Sequence, residues 1–209
     1  MNEEKRTSGA DADAVAAAFE KNRPRLKRMV ELRLDRRIQK RVSSSDVLQD
    51  SYVELADMLG DYDASTDGPM YVWMRRIIGM QLTKVHEEHL GRESRDVTRE
   101  ISLQRGRMPQ ATSFALASRL IGKFTEAEQQ FQRAERQVRL QEVLNGMAIE
   151  DREIIAMRNF EQMSNAEVAA VLQIREAEAG IRYLKALRKL QREVKQTPDL
   201  LDSSAGDQQ

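Results

Sequence analysis

The sequence predicts an all-α protein, two small helical domains joined by a flexible linker. Three observations carry this reading. Only 4 prolines and 10 glycines interrupt 209 residues, and Ala, Leu, Arg, Glu and Gln, which lose little freedom in a helix, make up much of the chain. Apolar residues recur every three or four positions through long runs, the period of one helix face. Between two such regions lies GRESRDVTREISLQRGRMPQATS, polar and aperiodic, with Gly106 and Pro109 inside it.

Residues 1–10 are polar and are expected to be disordered. The first domain, 11–90, starts with a helix near Asp11–Asp13 that runs through AVAAAFEKNRPRLKRMVELRL. Val15, Phe19, Leu26, Val30 and Leu34 form its apolar stripe, which leaves the arginines pointing outward. Pro24 lacks a backbone donor, so it must kink this helix or stand in the first turn of a second one. Basic side chains dominate from Lys21 to Arg41. From Val42 to Asp63 there is then neither Lys nor Arg.

That acidic stretch is a helix. Ser43–Ser45 can cap its start, and Asp46 suits the positive end of the helix dipole. Asp46, Asp50, Glu54 and Asp57 fall on one face, with Leu48, Tyr52, Leu55 and Leu59 beside them as the core stripe. Gly60 ends the run. A polar loop, Asp61–Gly68, leads to a third long helix from Pro69 to Leu90, with Pro69 at its first position. Trp73, Ile77, Leu82 and Val85 face inward there.

The linker spans 91–123, with a short helix at Ser113–Ile121, and the second domain spans 124–195. Thr125-x-x-Glu128 and Ser164-x-x-Glu167 are capping boxes. The first opens a helix lined by Leu140, Val143, Leu144 and Met147, and Asp151–Phe160 forms the next. Ser164 opens a short helix with Val168, Ala169, Val171 and Leu172. A tight turn at Gln173–Arg175 then leads to Glu176–Val194, which carries Arg182, Lys185, Arg188, Lys189 and Arg192, with Lys195 just after it. Short helix, turn and longer basic helix make a helix-turn-helix. The tail, 196–209, is expected to be disordered.

Composition excludes several functions. There is no cysteine, hence no disulfide, thiol catalysis or thiolate metal site. The N-terminus lacks an apolar leader and no stretch reaches membrane-spanning length, so a cytoplasmic protein is expected. Net charge is zero, so any DNA binding must come from local patches or from a partner that holds the chain there. His86 and His89 flank two glutamates as HEEH, but i, i+3 spacing without a third ligand is no zinc motif and reads as an exposed helix end. No P-loop, GxSxG or clustered catalytic pair occurs. No metal, cofactor or enzymatic activity is expected.

SDVLQDSYVE (Ser45–Glu54) and YVWMRRI (Tyr71–Ile77), in the order arginine-rich helix, acidic helix, polar loop and long helix, resemble region 2 of the extracytoplasmic-function (ECF) sigma factors. These are small members of the sigma-70 family of bacterial RNA polymerase specificity subunits. SNAEVAAVLQI and IRYLKALRKL resemble the helix-turn-helix of sigma region 4. The two resemblances lie in the family's order and span about three quarters of the chain.

The resemblance implies a chain that directs core polymerase to promoters and helps open the −10 element. The acidic face, Asp46, Gln49, Asp50, Glu54 and Asp57, would bind core polymerase, with Asp46, Gln49 and Asp50 on the clamp helices of its largest subunit. Tyr62 and Tyr71 are candidates to receive a flipped −10 base, and Arg75, Arg76 and Lys84 to contact phosphates there. Trp73 joins the −10 set, although a lone Trp at helical spacing fits a core position better. Met80 stands where the family often has Asn.

Glu176, Glu178, Gly180, Arg182, Lys185, Arg188 and Lys189 would face the −35 element. Nothing projects from Gly180, where the family often places a contact residue, which shifts the reading toward Arg182. An anti-sigma protein is a further implied partner. Two other functions fit the residues, a stand-alone helix-turn-helix regulator and a helical adaptor that binds only protein.

Overall fold

The computed structural model describes residues 9–90, 108–124, 130–197 and Leu200. Among these, every regular element is helical. The N-terminal segment 1–8, the aperiodic stretch 91–107, the capping box at Thr125 and Glu128, and most of the tail lie outside the described residues.

Helix α1 (Gly9–Arg33) passes through Pro24 without ending. Pro24 is exposed, while Val15, Phe19, Leu26, Met29 and Val30 on either side are buried. The packed face thus holds the helix together across the missing hydrogen bond, and no second helix starts there. A turn plugged by the buried Ile38 leads into α2 (Ser44–Met58). Here Ser43 Oγ accepts from Asp46 N at 3.2 Å and Asp46 Oδ2 accepts from Ser43 N at 2.8 Å, a reciprocal capping box. Val47, Leu48, Ser51 and Leu55 are buried, whereas Tyr52 and Leu59 are only half-buried, so the core stripe lies one residue nearer the N-terminus than expected.

One 3-10 turn (Leu59–Asp61) and the short α3 (Ala64–Asp67) make the loop. Gly68 has φ 72° and ψ −156°, a region essentially closed to residues with a β-carbon. Pro69 then stands just before α4 (Met70–Leu90), and its carbonyl accepts from Val72 at 2.8 Å and Trp73 at 3.2 Å. Helices α1, α2 and α4 pack on one another and form the first core.

Helix α5 (Ser113–Phe124) contains the expected short helix and docks on α1 and on the second domain. Thr112 N donates to Leu32 O at 2.9 Å just before it. Upstream, Met108 packs so closely on Gly79 that a β-carbon there would meet its sulfur at 2.8 Å. The second domain comprises α6 (Gln130–Asn145), α7 (Ile149–Asn159), α8 (Asn165–Leu172) and α9 (Glu176–Gln196). Its core includes Leu144, Ile154, Ile155, Met157, Val168, Ala179 and Ala186.

The arginines of α1 do not all point outward. Arg33 is fully buried, and Arg25 and Arg28 reach across to the second domain. Helix α1 is covered on two sides, by α2 and α4 and by the C-terminal helices, so its second face is an interface as well.

Candidate nucleic-acid interface and acidic docking face

The helix-turn-helix is built by local chemistry. Ser164 Oγ accepts from Glu167 N at 3.1 Å, and Glu167 Oε2 accepts from Ser164 N at 2.7 Å, which fixes the start of α8. Gln173 adopts the left-handed conformation at φ 54°, and Ile174 N donates back to Ala169 O at 3.1 Å, turning the chain into α9. Ala179, Ala186 and Leu190 bury one face of α9, and the Tyr183 hydroxyl donates to Asn159 Oδ1 at 2.6 Å.

Gly180 has a packing reason. A β-carbon there would lie 3.3 Å from Asn165 Nδ2, so the small residue lets α8 and α9 cross closely. It turns toward α8, not toward a ligand. Arg182 donates to Glu178 at 2.6 Å within the helix, and Lys189 pairs with Asp151 of α7 at 3.0 Å. Lys185 and Arg188 are exposed and find no partner among the described residues, and Glu176 is exposed in the first turn. The open face of α9 therefore centres on Ala177, Ile181, Leu184, Lys185 and Arg188.

On α2, Asp46, Gln49, Asp50 and Asp57 are exposed together. The Asp46 carboxylate, though exposed, is held below its usual range by the Ser43 backbone and hydroxyl, so it is anionic and committed to the cap. Glu54 is half-buried and accepts from Lys84 Nζ at 3.2 Å, which couples two residues assigned to different ligands. Val53, absent from the sequence-based set, stands among the acids at 62% exposure. Its helix position, between Gln49 and Asp57, was the available signal.

The −10 candidates separate into two groups. Tyr62, half-buried, donates from its hydroxyl to Gly68 O at 2.9 Å and lies 5.1 Å from the ring of Trp73. Arg76 and Lys84 are exposed, Arg76 pairing with Asp67 at 2.6 Å. Trp73 is buried and belongs to the core. Tyr71 and Arg75 are buried as well, against the other domain, so neither is presented to a nucleic acid in this arrangement.

Both contact Glu161, a fully buried carboxylate that sequence reasoning missed. The chain places it in the turn after α7, where Gln162 takes a left-handed φ of 55° and Met163 N donates to Met157 O at 3.0 Å. Glu161 accepts from Arg75 Nε at 2.7 Å, from Arg33 at 2.8 Å and from the Tyr71 hydroxyl at 3.3 Å. Arg33 also reaches Glu153 at 2.6 Å. Arg25 lies 3.6 Å above the Tyr71 ring and donates to Glu161 O at 2.9 Å and to Glu167 at 2.8 Å. Arg28 adds Phe160 O at 2.6 Å and Gln162 at 2.8 Å.

Burial alone would raise the Glu161 pKa, but Arg33 and Arg75 more than offset it and hold the group at about 2. Burial likewise works against the Arg33 charge, and the two carboxylates reverse that, so its proton is held above the ordinary value. Burial, and then the Glu161 charge, raise the Tyr71 hydroxyl well above a free phenol. Glu161 and Arg33 are thus charged at neutral pH, the Tyr71 hydroxyl keeps its proton, and the cluster joins α1 and α4 to the turn after α7.

His86 is not an exposed helix end. Its Nε2 accepts from Asp35 N at 3.4 Å, and burial, opposed by Asp35, lowers its pKa. His89 is exposed. No group of three or more metal-ligating side chains occurs among the described residues, and none of their helices is long and apolar enough to cross a membrane.

Among the described residues every regular element is helical, and α8 and α9 form a helix-turn-helix with an exposed basic face, a motif that many DNA-binding proteins share. Residues 137–190 match the family model for sigma-70, region 4. That segment, which holds α7, α8 and most of α9, is therefore similar to a sigma-70 region 4 domain. Among solved structures it is similar to CnrH in complex with the cytosolic domain of CnrY, at 18% identity over 88% of each chain and a TM-score of 0.47. No curated protein matches the sequence.

Proposed function

We propose that this chain is an ECF-type sigma subunit, which recruits core RNA polymerase to promoters and helps open the −10 element without covalent chemistry of its own. The observation that carries the reading is the region 4 match at 137–190, laid over a capped helix-turn-helix with a basic outward face. Helix α9 enters the major groove of the −35 element. The exposed acids of α2, with Val53 among them, dock on a basic partner helix pair of the polymerase, and charge complementarity sets that orientation.

Tyr62, Arg76 and Lys84 are then the −10 residues presented from the outset. Tyr71 and Arg75 join them only when the two domains part, because both now hold Glu161. Engagement of polymerase supplies that separation. An anti-sigma protein is the partner class that would oppose it.

The test is run-off transcription by core polymerase with the purified chain on a randomised promoter library. Enriched promoters with two spaced elements support the reading. Absence of any chain-dependent transcript, with tight and specific promoter binding by the chain alone, replaces it with a stand-alone regulator.

A further inference from the structure

The reading of the −35 element can be taken one step further, and this step rests on the sigma assignment. Among the described residues, the large aliphatic side chains most open to solvent are Val53, Val138, Ile181 and Leu184. Single exposed aliphatic residues are ordinary and need no explanation. Ile181 and Leu184 differ in placement. They are 54% and 52% exposed, three residues apart on one face of α9, in the N-terminal half that a helix-turn-helix inserts into the groove.

The unpaired cations Lys185 and Arg188 adjoin them on the same open face. An apolar pair beside free basic groups is matched by a surface that offers apolar points among anionic phosphates. The major groove does so at thymine, whose 5-methyl group is its apolar feature. Arg182 and Lys189, the other basic groups of this region, are held by Glu178 and Asp151.

We infer that Ile181 and Leu184 are specificity residues that read thymine methyl groups at two neighbouring positions of the −35 element. The spacing fits. Three helical residues advance about 4.5 Å along the axis, close to the base-pair rise of about 3.4 Å. Guanine, adenine or cytosine edges at those positions would lose water to an alkyl group without gaining a hydrogen bond, so they are rejected. Lys185 and Arg188 anchor the flanking phosphates and carry no base preference.

The test uses holoenzyme assembled from this chain and core polymerase, on a promoter selected from the library. Each thymine of the −35 element is replaced in turn by uracil, which removes only the methyl group. Two adjacent or next-adjacent positions should each lose roughly three- to fivefold in affinity, the value of about one buried methyl. Ile181→Ala should abolish the thymine–uracil difference at one position and Leu184→Ala at the other. Helicity should be kept, since alanine is favoured on an exposed helix face.

Equal affinity of the wild-type holoenzyme for thymine and uracil at every −35 position overturns the inference and leaves the sigma reading intact. So does a thymine–uracil ratio unchanged in both variants while they lose binding to a protein partner. Failure of the holoenzyme to select any promoter overturns both.

Discussion

Replacing Glu161 by Gln tests how the two domains are held together. The change preserves shape but leaves the buried Arg75 guanidinium without the carboxylate it meets at 2.7 Å, and leaves Arg33 with Glu153 alone. Breaking a buried ion pair from one side costs about 3–5 kcal/mol, because the surviving charge stays desolvated. Glu161 is fully buried and accepts from two guanidiniums and a phenol, so the upper half of that range is expected. The expected response is for α1 and α4 to part from the C-terminal helices and rehydrate the arginines. Small-angle scattering should show a larger radius of gyration, with helical circular dichroism kept and the denaturation midpoint lowered. The pH dependence has a definite sign. The folded-state pKa is about 2 against an ordinary 4.5, so the stabilisation is complete above about pH 4.5 and is lost as pH falls toward 2. The gap between wild type and variant should therefore be flat from pH 8 to pH 5. A variant with wild-type stability and wild-type scattering would refute the view that this cluster joins the domains.

Other residues yield shorter tests. Asp50→Arg with Val53→Lys should weaken core-polymerase binding at least tenfold in a titration at low salt, while Asp46 is left in place because its carboxylate completes the capping box at Ser43; unchanged affinity removes the docking assignment. Gly180→Leu should destabilise the chain by about 1–3 kcal/mol in urea unfolding, because its β-carbon already meets Asn165 at 3.3 Å; a neutral result would mean α8 and α9 can move apart freely. Arg188→Ala should reduce the salt slope of promoter binding by about one without altering base preference, whereas Arg182→Ala, already paired with Glu178, should change it little. A strong loss of preference in Arg182→Ala would move the groove-facing side of α9.

Much of the fold was legible because it is local. The capped start at Ser164, the turn at Gln173–Arg175 and the amphipathic period of α9 are written within a few residues, and the structure has them where the pattern put them. Trp73 in the core followed from periodicity in the same way. What periodicity could not supply was partner choice over distance. Arg33 and Glu161 are far apart in the chain, and an arginine in a basic helix looks like any solvated arginine until a second domain covers it. Tyr71 and Arg75 were placed with DNA for that reason. Gly180 looked like a missing contact because its neighbour Asn165 lies on another helix. Ile181, Leu184 and Val53 cannot be told from core aliphatic residues in the sequence, because only the packing of the helices leaves them exposed.

The proposed role divides the labour, with polymerase expected to place a chain that has little affinity of its own for DNA. A chain of zero net charge has a weak long-range field, and one helix-turn-helix makes few phosphate contacts, so free binding should stay near the non-specific range of ~10⁻⁴ to 10⁻⁶ M. Held on polymerase, with the domains parted, the second promoter contact becomes intramolecular and gains a factor of ~10² to 10⁴. Fluorescence anisotropy on one labelled promoter duplex at fixed salt, with and without core polymerase, measures this directly. Weak, nearly sequence-independent binding by the chain alone and tight, specific binding with polymerase is the predicted result. Nanomolar, sequence-specific binding by the chain alone would contradict it.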